Sequence, residues 1–300
     1  MVVGYGSIGS RHVRLLEAMG HEVAVVSRRA GVFATTFPNV EAALADGRTD
    51  YVVVANETAR HRATLQDLVD AGFAGPVLVE KPLWDVDAAP LGRHEMSVFV
   101  GYVLRFLPAM LALKRCLEGR RIISAEVRAC SYLPDWRPDR DYRTTASAVR
   151  AAGGGALRDL SHDLDYLLWL VGPWKRLAAV GGRRSELEIE TDDLFMLLGE
   201  SKSGAAFSVS LNYVDRVEER WIVVNTSDAT YRLDLVAGTL HESGVPVDQE
   251  AAAMDSLYVR QHQAAIAGRE PCCTLADAAA VVEMIAAAEA AAALGQWVGQ

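Results

Sequence analysis

The sequence is poor in the features that mark several large classes of protein. Its four cysteines (Cys116, Cys130, Cys272 and Cys273) form neither a CxxC nor a histidine-spaced zinc pattern, so we expect reduced thiols and no metal site. It has no block of basic residues, and its net charge of −9 argues against nucleic acids and anionic membranes as partners. No apolar run reaches membrane-spanning length. These absences favour a cytoplasmic protein.

What the chain does contain is ordinary for a soluble protein with a sizeable core. It has 300 residues, of which 51% are hydrophobic and 23% are charged, which suits one large domain or two smaller ones. Only Met1, Val2 and Val3 precede the first glycine. We therefore expect a very short first strand and no targeting segment before it.

The first hundred residues alternate short apolar strands with helical segments. VV, GYGSIG, SRHVRLLEAMG and HEVAVVS have the patterns of a strand, a turn, a helix and a second strand. Further strands are predicted at 51–56, 77–80 and 97–102. This alternation predicts a parallel sheet covered on both faces, in a domain over residues 1–102.

Beyond about residue 105 the chain becomes rich in strands without long helices between them. In one such segment four apolar residues alternate with polar ones, namely Phe207, Val209, Leu211 and Tyr213. A period of two is typical of an antiparallel strand with one polar face, so we predict an α+β domain over residues 103–300 with an open, mainly antiparallel sheet. Its alanine-rich last helix, at about 275–295, is predicted to stop at Gly295 and to pack back on the first domain.

A glycine motif, GYGSIG, stands between a strand and a helix inside the first βαβ unit. In that context the first glycine permits a tight turn, the second lets a pyrophosphate approach the backbone, and the third lets helix and strand pack closely. The helix N-terminus offers unpaired N–H groups to the phosphates. The motif predicts a Rossmann dinucleotide-binding domain in which the cofactor contacts Gly4, Gly6, Ser7, Ile8 and Gly9.

Cofactor choice depends on the end of the second strand. NAD-binding domains usually carry Asp or Glu about twenty residues after the glycines, where it binds the ribose 2′-hydroxyl. Here Ser27 occupies that position and is followed by Arg28 and Arg29. A serine and two guanidinium groups bind a 2′-phosphate, which a carboxylate repels, so the sequence favours NADP, with NAD as the alternative.

Two other predicted strands end in polar residues. Glu80 and Lys81 follow the apolar run VLV, while Asn56, Glu57 and His61 follow YVVVA. Ligands of open α/β sheets bind at the carboxyl ends of strands, so all five are candidates for the cofactor cleft, and Lys81 is also a candidate for catalysis. Strand termination and loop capping are the alternatives.

The segment after Gly153–Gly155 predicts a helix with an unusual polar side. Leucines occupy one side, and Asp159, His162, Asp163 and Tyr166 occupy the other. A histidine titrates near neutral pH and a neighbouring carboxylate stabilises its cation, so this set predicts proton transfer. A buried histidine bound by Asp159 is the alternative. A metal site is the weaker interpretation, because no third ligand type stands at a recognisable spacing.

The loop from Tyr132 to Arg143 is rich in aromatic and charged residues. In a substrate pocket, Trp136 or Tyr142 would cover a sugar face, and Arg137, Arg140 or Arg143 would bind an anionic substituent. A surface loop is the equal alternative.

Four motifs carry a resemblance to a known family: GYGSIGSRH, EKP at 80–82, GYVLRFLP at 101–108 and GGGALRDLSHDLD. Together they resemble the Gfo/Idh/MocA oxidoreductases over nearly the whole chain. The resemblance implies a Rossmann domain followed by an open-sheet α/β domain, with Lys81 and His162 as the catalytic pair. In many members an acid precedes the histidine by four residues, whereas Asp159 precedes it by three. We add Arg105, Asp163 and Tyr166 as candidates for substrate binding.

The sequence therefore predicts an NADP(H)-preferring oxidoreductase that transfers hydride to or from a secondary alcohol or ketone of a sugar, sugar derivative or cyclitol. An imine or enamine reductase is one alternative, and a non-catalytic nucleotide-sensing subunit is another. The presence of both Lys81 and His162 argues against the sensing subunit. Large side chains on the predicted open sheet, Phe207, Leu211 and Trp221, predict a homodimer or homotetramer.

Overall fold

The structure is a computed structural model that describes residues 1–45, 47–84 and 91–300. It divides into two compact units, each formed by two stretches of chain. The two stretches of the first unit are Met1–Phe106 and Ala252–Ala279, and those of the second are Leu107–Ala251 and Ala280–Gln300.

The secondary structure follows in chain order. Residues 1–106 form β1 (Val2–Val3), α1 (Ser7–Ala18), β2 (Val25–Val26), β3 (Thr36–Phe37), α2 (Val40–Leu44), β4 (Val52–Val54), α3 (Thr58–Asp70), β5 (Pro76–Val79) and β6 (Ser97–Val100). Residues 107–251 form α4 (Pro108–Leu117), β7 (Ile122–Cys130), α5 (Ala156–Asp159), α6 (Ser161–Val171), β8 (Trp174–Gly182), β9 (Leu194–Ser201), β10 (Ala206–Asn212), β11 (Glu219–Thr226), β12 (Thr230–Asp234), β13 (Thr239–Glu242) and β14 (Val245–Val247). Residues 252–300 form α7 (Met254–Ala267), β15 (Cys273–Thr274), α8 (Leu275–Leu294) and β16 (Val298–Gly299). Short 3-10 turns lie at Val103–Phe106, Leu133–Trp136, Tyr142–Thr144, Ala146–Ala148 and Arg150–Ala152.

The sheet of the first unit has the strand order β15-β6-β5-β4-β1-β2-β3. Its strands pair in parallel except at the edge, where β15 runs antiparallel to β6. Apolar runs form these strands, and Val52, Val53 and Val54 in the centre are fully buried. The order of β1 to β6 is that of a doubly wound Rossmann sheet, and the chain changes direction between β1 and β4. A crevice for a ligand is therefore expected at the carboxyl ends of these two strands.

The first unit is completed by a late segment of chain. The helix α7 contacts α1 and β5, and β15 extends the sheet beyond β6. The sequence pattern predicts that the segment Ala252–Ala279 belongs to the second domain. Its contacts place it in the first unit, because its helix covers buried faces of elements more than 150 residues earlier. The boundary between the units falls inside α8, and the packing of that helix on the first domain stays a prediction.

The sheet of the second unit has the order β14-β13-β12-β11-β7-β10-β9-β8-β16. Neighbouring strands are antiparallel except β7 and β10, which pair in parallel from Ala206 opposite Ser124. In β10 the residues Phe207, Val209 and Leu211 are buried, in agreement with the predicted period of two. A Rossmann domain followed by an α+β domain with an open, mainly antiparallel sheet is confirmed.

The cysteines and the helices bear on two further predictions. All four cysteines are free thiols. Among the described residues, no helix is both long enough and apolar enough to span a membrane.

Candidate active site

The glycine motif forms an open cradle at the N-terminus of α1. A side chain at Gly4, where φ is +98°, would place its Cβ 2.6 Å from the Ala55 carbonyl oxygen and the Asn56 nitrogen. At Gly9 a Cβ would lie 2.1 Å from the Gly4 carbonyl oxygen, so these two glycines are required for close packing. A Cβ at Gly6, by contrast, would meet nothing within 4 Å. Gly6 therefore leaves room beside the first N–H groups of the helix for a ligand, as the sequence predicts for a pyrophosphate.

A cleft of about 620 Å³ opens beside this cradle, at the change of chain direction between β1 and β4. Its lining includes seven predicted cofactor residues, namely Gly4, Gly6, Ser27, Arg28, Arg29, Asn56 and Glu57. Ser7 is exposed at the first residue of α1, and Ile8 and Gly9 follow it in the same helix. The structure thus brings the residues at the ends of three strands to one cleft.

The two arginines of the cleft are held by different partners. Arg28 donates from Nη2 to Oε1 of Glu57 at 3.2 Å, and both side chains are largely exposed. Arg29 donates from Nη2 to the carbonyl oxygen of Tyr5 at 2.7 Å, and its backbone N–H donates to Oγ of Ser27 at 3.1 Å. The carboxylate that binds Arg28 is that of Glu57, which follows β4. The residues at the end of β2, Ser27 to Arg29, carry no carboxylate.

Asn56 and His61 have different surroundings although both follow β4. Asn56 donates from Nδ2 to Oγ1 of Thr64 at 2.8 Å, and its buried Oδ1 has no hydrogen-bond partner among the described residues. His61 is buried, and its ring nitrogens lie 3.1 Å from the carbonyl oxygens of Asn56, Pro82 and Leu83. Burial lowers the pKa of His61, and this effect outweighs the hydrogen bonds to backbone carbonyls, which raise it. These contacts give His61 a role in fixing two loops, whereas Asn56 is one of the residues that line the cleft.

Glu80 and Lys81 follow β5, with Glu80 buried and Lys81 half-buried. The Oε1 atom of Glu80 lies 2.9 Å from Nε2 of His12, and its Oε2 accepts the backbone N–H of Lys81 at 3.2 Å. Burial by itself raises the pKa of Glu80, but the hydrogen bond and charge of His12, with the charge of Lys81, lower it below its usual value. Glu80 is thus a buried negative charge that binds the backbone of Lys81. No motif in the sequence marks His12 as part of this arrangement.

In the second unit, the predicted single helix is interrupted. Asp159 ends α5 and His162 lies in the first turn of α6, because Leu160 between them leaves helical geometry at φ −92° and ψ 19°. The Tyr213 hydroxyl donates to Oδ2 of Asp159 at 2.7 Å, and burial followed by the Asp159 charge raises the pKa of Tyr213 well above its usual value. The ring of Trp136 lies edge-on to Tyr213 at 5.2 Å. Asp159 and Trp136 therefore both contact Tyr213, whose sequence pattern predicts only a strand.

Asp163 and Tyr166, predicted to bind substrate, are buried inside the second unit. Asp163 accepts a hydrogen bond from the Tyr166 hydroxyl at 2.5 Å, and Arg220 donates to its two oxygens at 3.1 and 2.6 Å. The two carboxylate oxygens are thus engaged by protein groups. These contacts favour support of α6 over the predicted role in substrate binding, since neither side chain reaches a surface of its unit.

The remaining candidates make local contacts. Arg143 donates to Asp141 at 2.9 Å and to Glu188 at 3.1 Å, and these carboxylates raise its pKa. The Tyr142 hydroxyl accepts the backbone N–H of Glu188 at 3.3 Å. These bonds within one surface region fit the surface-loop alternative for both residues.

Arg105 is also engaged by the protein. It is only 3% exposed and donates from Nη1 to Oδ2 of Asp277 at 3.1 Å, within the first unit. This ion pair links the turn after β6 to the first turn of α8 and favours a structural role for Arg105 over the predicted role in substrate binding.

Two family models match the chain. One is described as an oxidoreductase family with an NAD-binding Rossmann fold and matches residues 1–90. The other is described as a GFO/IDH/MocA C-terminal domain and matches residues 120–232. Together these matches include the glycine cradle, the end of β5, α5, α6 and most of the second sheet.

Individual proteins are similar to parts or all of the chain. An inositol 2-dehydrogenase of Saccharopolyspora erythraea is 31% identical over 194 residues, which are 57% of this chain and 53% of that protein. The chain spans about half the length of the curated relatives it matches. Among solved structures, GenD2 from gentamicin A biosynthesis, in complex with NAD, is 25% identical with a TM-score of 0.81, covering 100% of this chain and 95% of that one.

A further solved structure is alike in fold alone. The WlbA dehydrogenase from Bordetella pertussis, in complex with NADH and UDP-GlcNAcA, is 21% identical with a TM-score of 0.80. The similarity covers 100% of this chain and 96% of that chain.

Proposed function

Because the chain belongs to the Gfo/Idh/MocA family of oxidoreductases, we propose that it interconverts a secondary alcohol and a ketone with a nicotinamide dinucleotide. The observation that carries this proposal is the cradle at Gly6. It leaves open space beside unpaired helix N–H groups, next to a cleft large enough for part of a dinucleotide. The residues present fit such a cofactor in shape and in hydrogen-bonding groups.

The chain offers a distinct group to each part of the dinucleotide. The backbone at Gly6 and the N-terminus of α1 would hold the pyrophosphate, and Asn56 supplies a polar atom without another partner among the described residues. Arg28 and Arg29 would hold a 2′-phosphate, which is why we propose a preference for NADP over NAD. When bound, the dinucleotide supplies or accepts the hydride of the alcohol–ketone interconversion.

Lys81 and His162 are proposed to act on the reacting oxygen of the substrate. The ammonium of Lys81 would donate a hydrogen bond to that oxygen and stabilise the negative charge that develops on it. The imidazole of His162 would exchange the hydroxyl proton, since its ordinary pKa lies near neutral pH. Asp159 is held by the Tyr213 hydroxyl close in sequence to His162, and we propose that it orients the imidazole.

The proposed substrate is a sugar, a sugar derivative or a cyclitol. The similarity to an inositol 2-dehydrogenase supports a cyclitol or another polyhydroxylated ring. A polyhydroxylated ring needs several hydrogen bonds and an aromatic surface, and Trp136 beside Tyr213 provides an exposed ring for the latter.

A substrate panel tests the proposal. The purified protein is mixed with NADP⁺ or NAD⁺ and with myo-inositol, other cyclitols, free sugars and UDP-sugars in turn, while absorbance of the reduced nicotinamide is followed. We expect turnover on at least one polyhydroxylated ring and faster turnover with NADP⁺. Tight binding of the dinucleotide with no turnover on any member, in either direction, would favour the sensing subunit instead.

A further inference from the structure

Four side chains form a continuous chain of hydrogen bonds through the interior of the first unit. The Tyr51 hydroxyl lies 3.0 Å from Nδ1 of His262, and Nε2 of His262 lies 2.9 Å from Nδ1 of His12. Nε2 of His12 lies 2.9 Å from Oε1 of Glu80. Both histidines are fully buried, and Tyr51 and Glu80 are each 8% exposed. None of these four residues, here called the histidine chain (Tyr51, His262, His12 and Glu80), is among the groups proposed to transfer the proton or the hydride.

The histidine chain connects elements that serve the proposed cofactor site. His12 lies in the second turn of α1, directly after the glycine cradle, and Glu80 precedes Lys81 at the end of β5. His262 comes from α7, in the segment that returns to complete this unit. The helix that would bind the pyrophosphate is therefore tied to the strand end that carries Lys81.

The donors and acceptors of the histidine chain fit one direction when both rings are uncharged. The Glu80 carboxylate accepts only, so Nε2 of His12 must donate to it, which leaves Nδ1 of His12 as an acceptor. His262 then donates from Nε2 to His12 and accepts at Nδ1 from the Tyr51 hydroxyl. Burial is the largest cause that lowers the pKa of His262, to about 3, so its ring stays neutral. Every polar atom in the histidine chain has a partner in this arrangement.

We propose that His12 is a positioning residue that keeps the Glu80 carboxylate charged and bound to the Lys81 backbone, with His262 and Tyr51 orienting the His12 ring. The inference rests on the proposed function in giving Lys81 a catalytic part. A buried carboxylate that loses its donor takes up a proton, because burial disfavours the charged form. Loss of the His12 donor would thus neutralise Glu80 and remove its electrostatic attraction to the charge of Lys81.

Competitive acetylation tests the inference without any need for turnover. The folded protein is treated with a trace of acetic anhydride near neutral pH, and mass spectrometry compares modification of Lys81 with that of the exposed Lys175. Glu80→Gln, which keeps the side-chain shape, and His12→Phe, which donates nothing, should each raise the Lys81 to Lys175 ratio. The expected rise is roughly three- to tenfold, since loss of a neighbouring negative charge makes a lysine amine more available to the reagent.

Two variants separate positioning from a general loss of structure. His12→Gln retains an N–H that can reach Glu80 and should keep the ratio within about twofold of the wild type, while His241→Phe, in the second unit, should leave it unchanged. An unchanged ratio in Glu80→Gln, or an equal rise in His12→Gln and His12→Phe, overturns the inference. If His12→Phe does not fold, His12→Leu, which also donates no hydrogen bond, takes its place. A raised ratio together with an inactive wild type would instead count against the proposed function.

Discussion

A single methyl group added at Gly6 should weaken cofactor binding and leave the stability of the fold nearly unchanged. Gly6 has φ −91°, which any residue adopts, and a Cβ there meets nothing within 4 Å. Gly6→Ala should therefore change the free energy of unfolding by no more than about 1 kcal/mol, the scale of a helix N-cap substitution. It should weaken NADPH binding at least roughly tenfold, because the methyl group occupies the space through which the pyrophosphate approaches. Fluorescence titration with NADPH and a thermal melt measure the two effects.

Gly4→Ala is the matched contrast for that experiment. Its φ is +98° and its Cβ would lie 2.6 Å from backbone atoms, so this variant should lose stability first. Unweakened NADPH binding in Gly6→Ala would show that no pyrophosphate lies against this cradle.

The proposed catalytic pair gives a second prediction for single residues. Lys81→Ala and His162→Ala should each lower turnover on the true substrate by about a hundredfold to ten-thousandfold, the usual cost of a lost proton-transfer group. NADPH affinity should change little in either variant. Lys202→Ala, at an exposed turn, serves as the control. Near wild-type turnover in one variant would remove that residue from the mechanism.

Arg28 is predicted to select the cofactor. Arg28→Ala should weaken NADPH binding by roughly ten- to hundredfold, the scale of one hydrogen bond to a charged group, and leave NADH binding nearly unchanged. Glu57 holds Arg28 at 3.2 Å, so the arginine is already placed at the edge of the cleft. Titration of both cofactors into the wild type and the variant measures this. Tighter binding of NADH than NADPH to the wild type would contradict the NADP preference.

At the scale of the secondary-structure element, α7 should make the first unit sensitive to acid. His262 on this helix has a pKa of about 3 in the folded chain, against 6.5 for an ordinary histidine. The unfolded chain therefore binds a proton that the folded chain does not, and stability is full above about pH 6.5 and declines as the pH falls towards 3. The slope approaches about 1.4 kcal/mol per pH unit for one proton.

Urea unfolding at several pH values between about 7.5 and 4.5 tests this, with His262→Gln for comparison. The variant should be less stable at neutral pH but lose less stability on acidification. Parallel pH dependences of the two proteins would contradict the assignment. Carboxylates titrate in both proteins, so the difference between them isolates His262.

The elements also show what local sequence can and cannot predict. Runs of valine bounded by glycine and charge predicted β4 and β5, and the alternation at Phe207 to Leu211 predicted β10, because these signals are local. The break at Leu160 was not predicted, since the leucine side of a helix continues through it without a glycine or proline. The pairing of His12 with His262 joins residues 250 positions apart, and no local pattern marks such a contact.

At the scale of the whole molecule, we propose a homodimer or homotetramer built on the outer face of the second sheet. Val180, Met196 and Leu198 stand on adjacent strands there and are 61%, 54% and 55% exposed. Phe207 and Leu211, on which the sequence prediction relied, are buried and do not reach that face. A second copy of the chain would bury this apolar group against its own equivalent, as symmetric dimers do.

Light scattering at micromolar concentration should therefore give a mass of two or four times 32.5 kDa. Met196→Asp combined with Leu198→Asp should lower it to that of one chain, because burying two carboxylates opposes association. Val236→Asp, at an equally exposed turn, should leave the mass unchanged. A monomeric wild type would contradict the proposal.

The ribosome releases residues 1–106 long before it releases the segment Ala252–Ala279 that completes the same unit. At about 5–20 residues per second, the roughly 170 residues between these points take on the order of ten to thirty seconds to synthesise. Throughout that interval the surfaces of α1 and β5 that α7 later covers remain exposed to solvent, including the side chain of His12 on α1. We therefore expect chaperones to bind the nascent chain until its C-terminal segment emerges. The dinucleotide-binding unit should complete its folding only when translation is nearly finished.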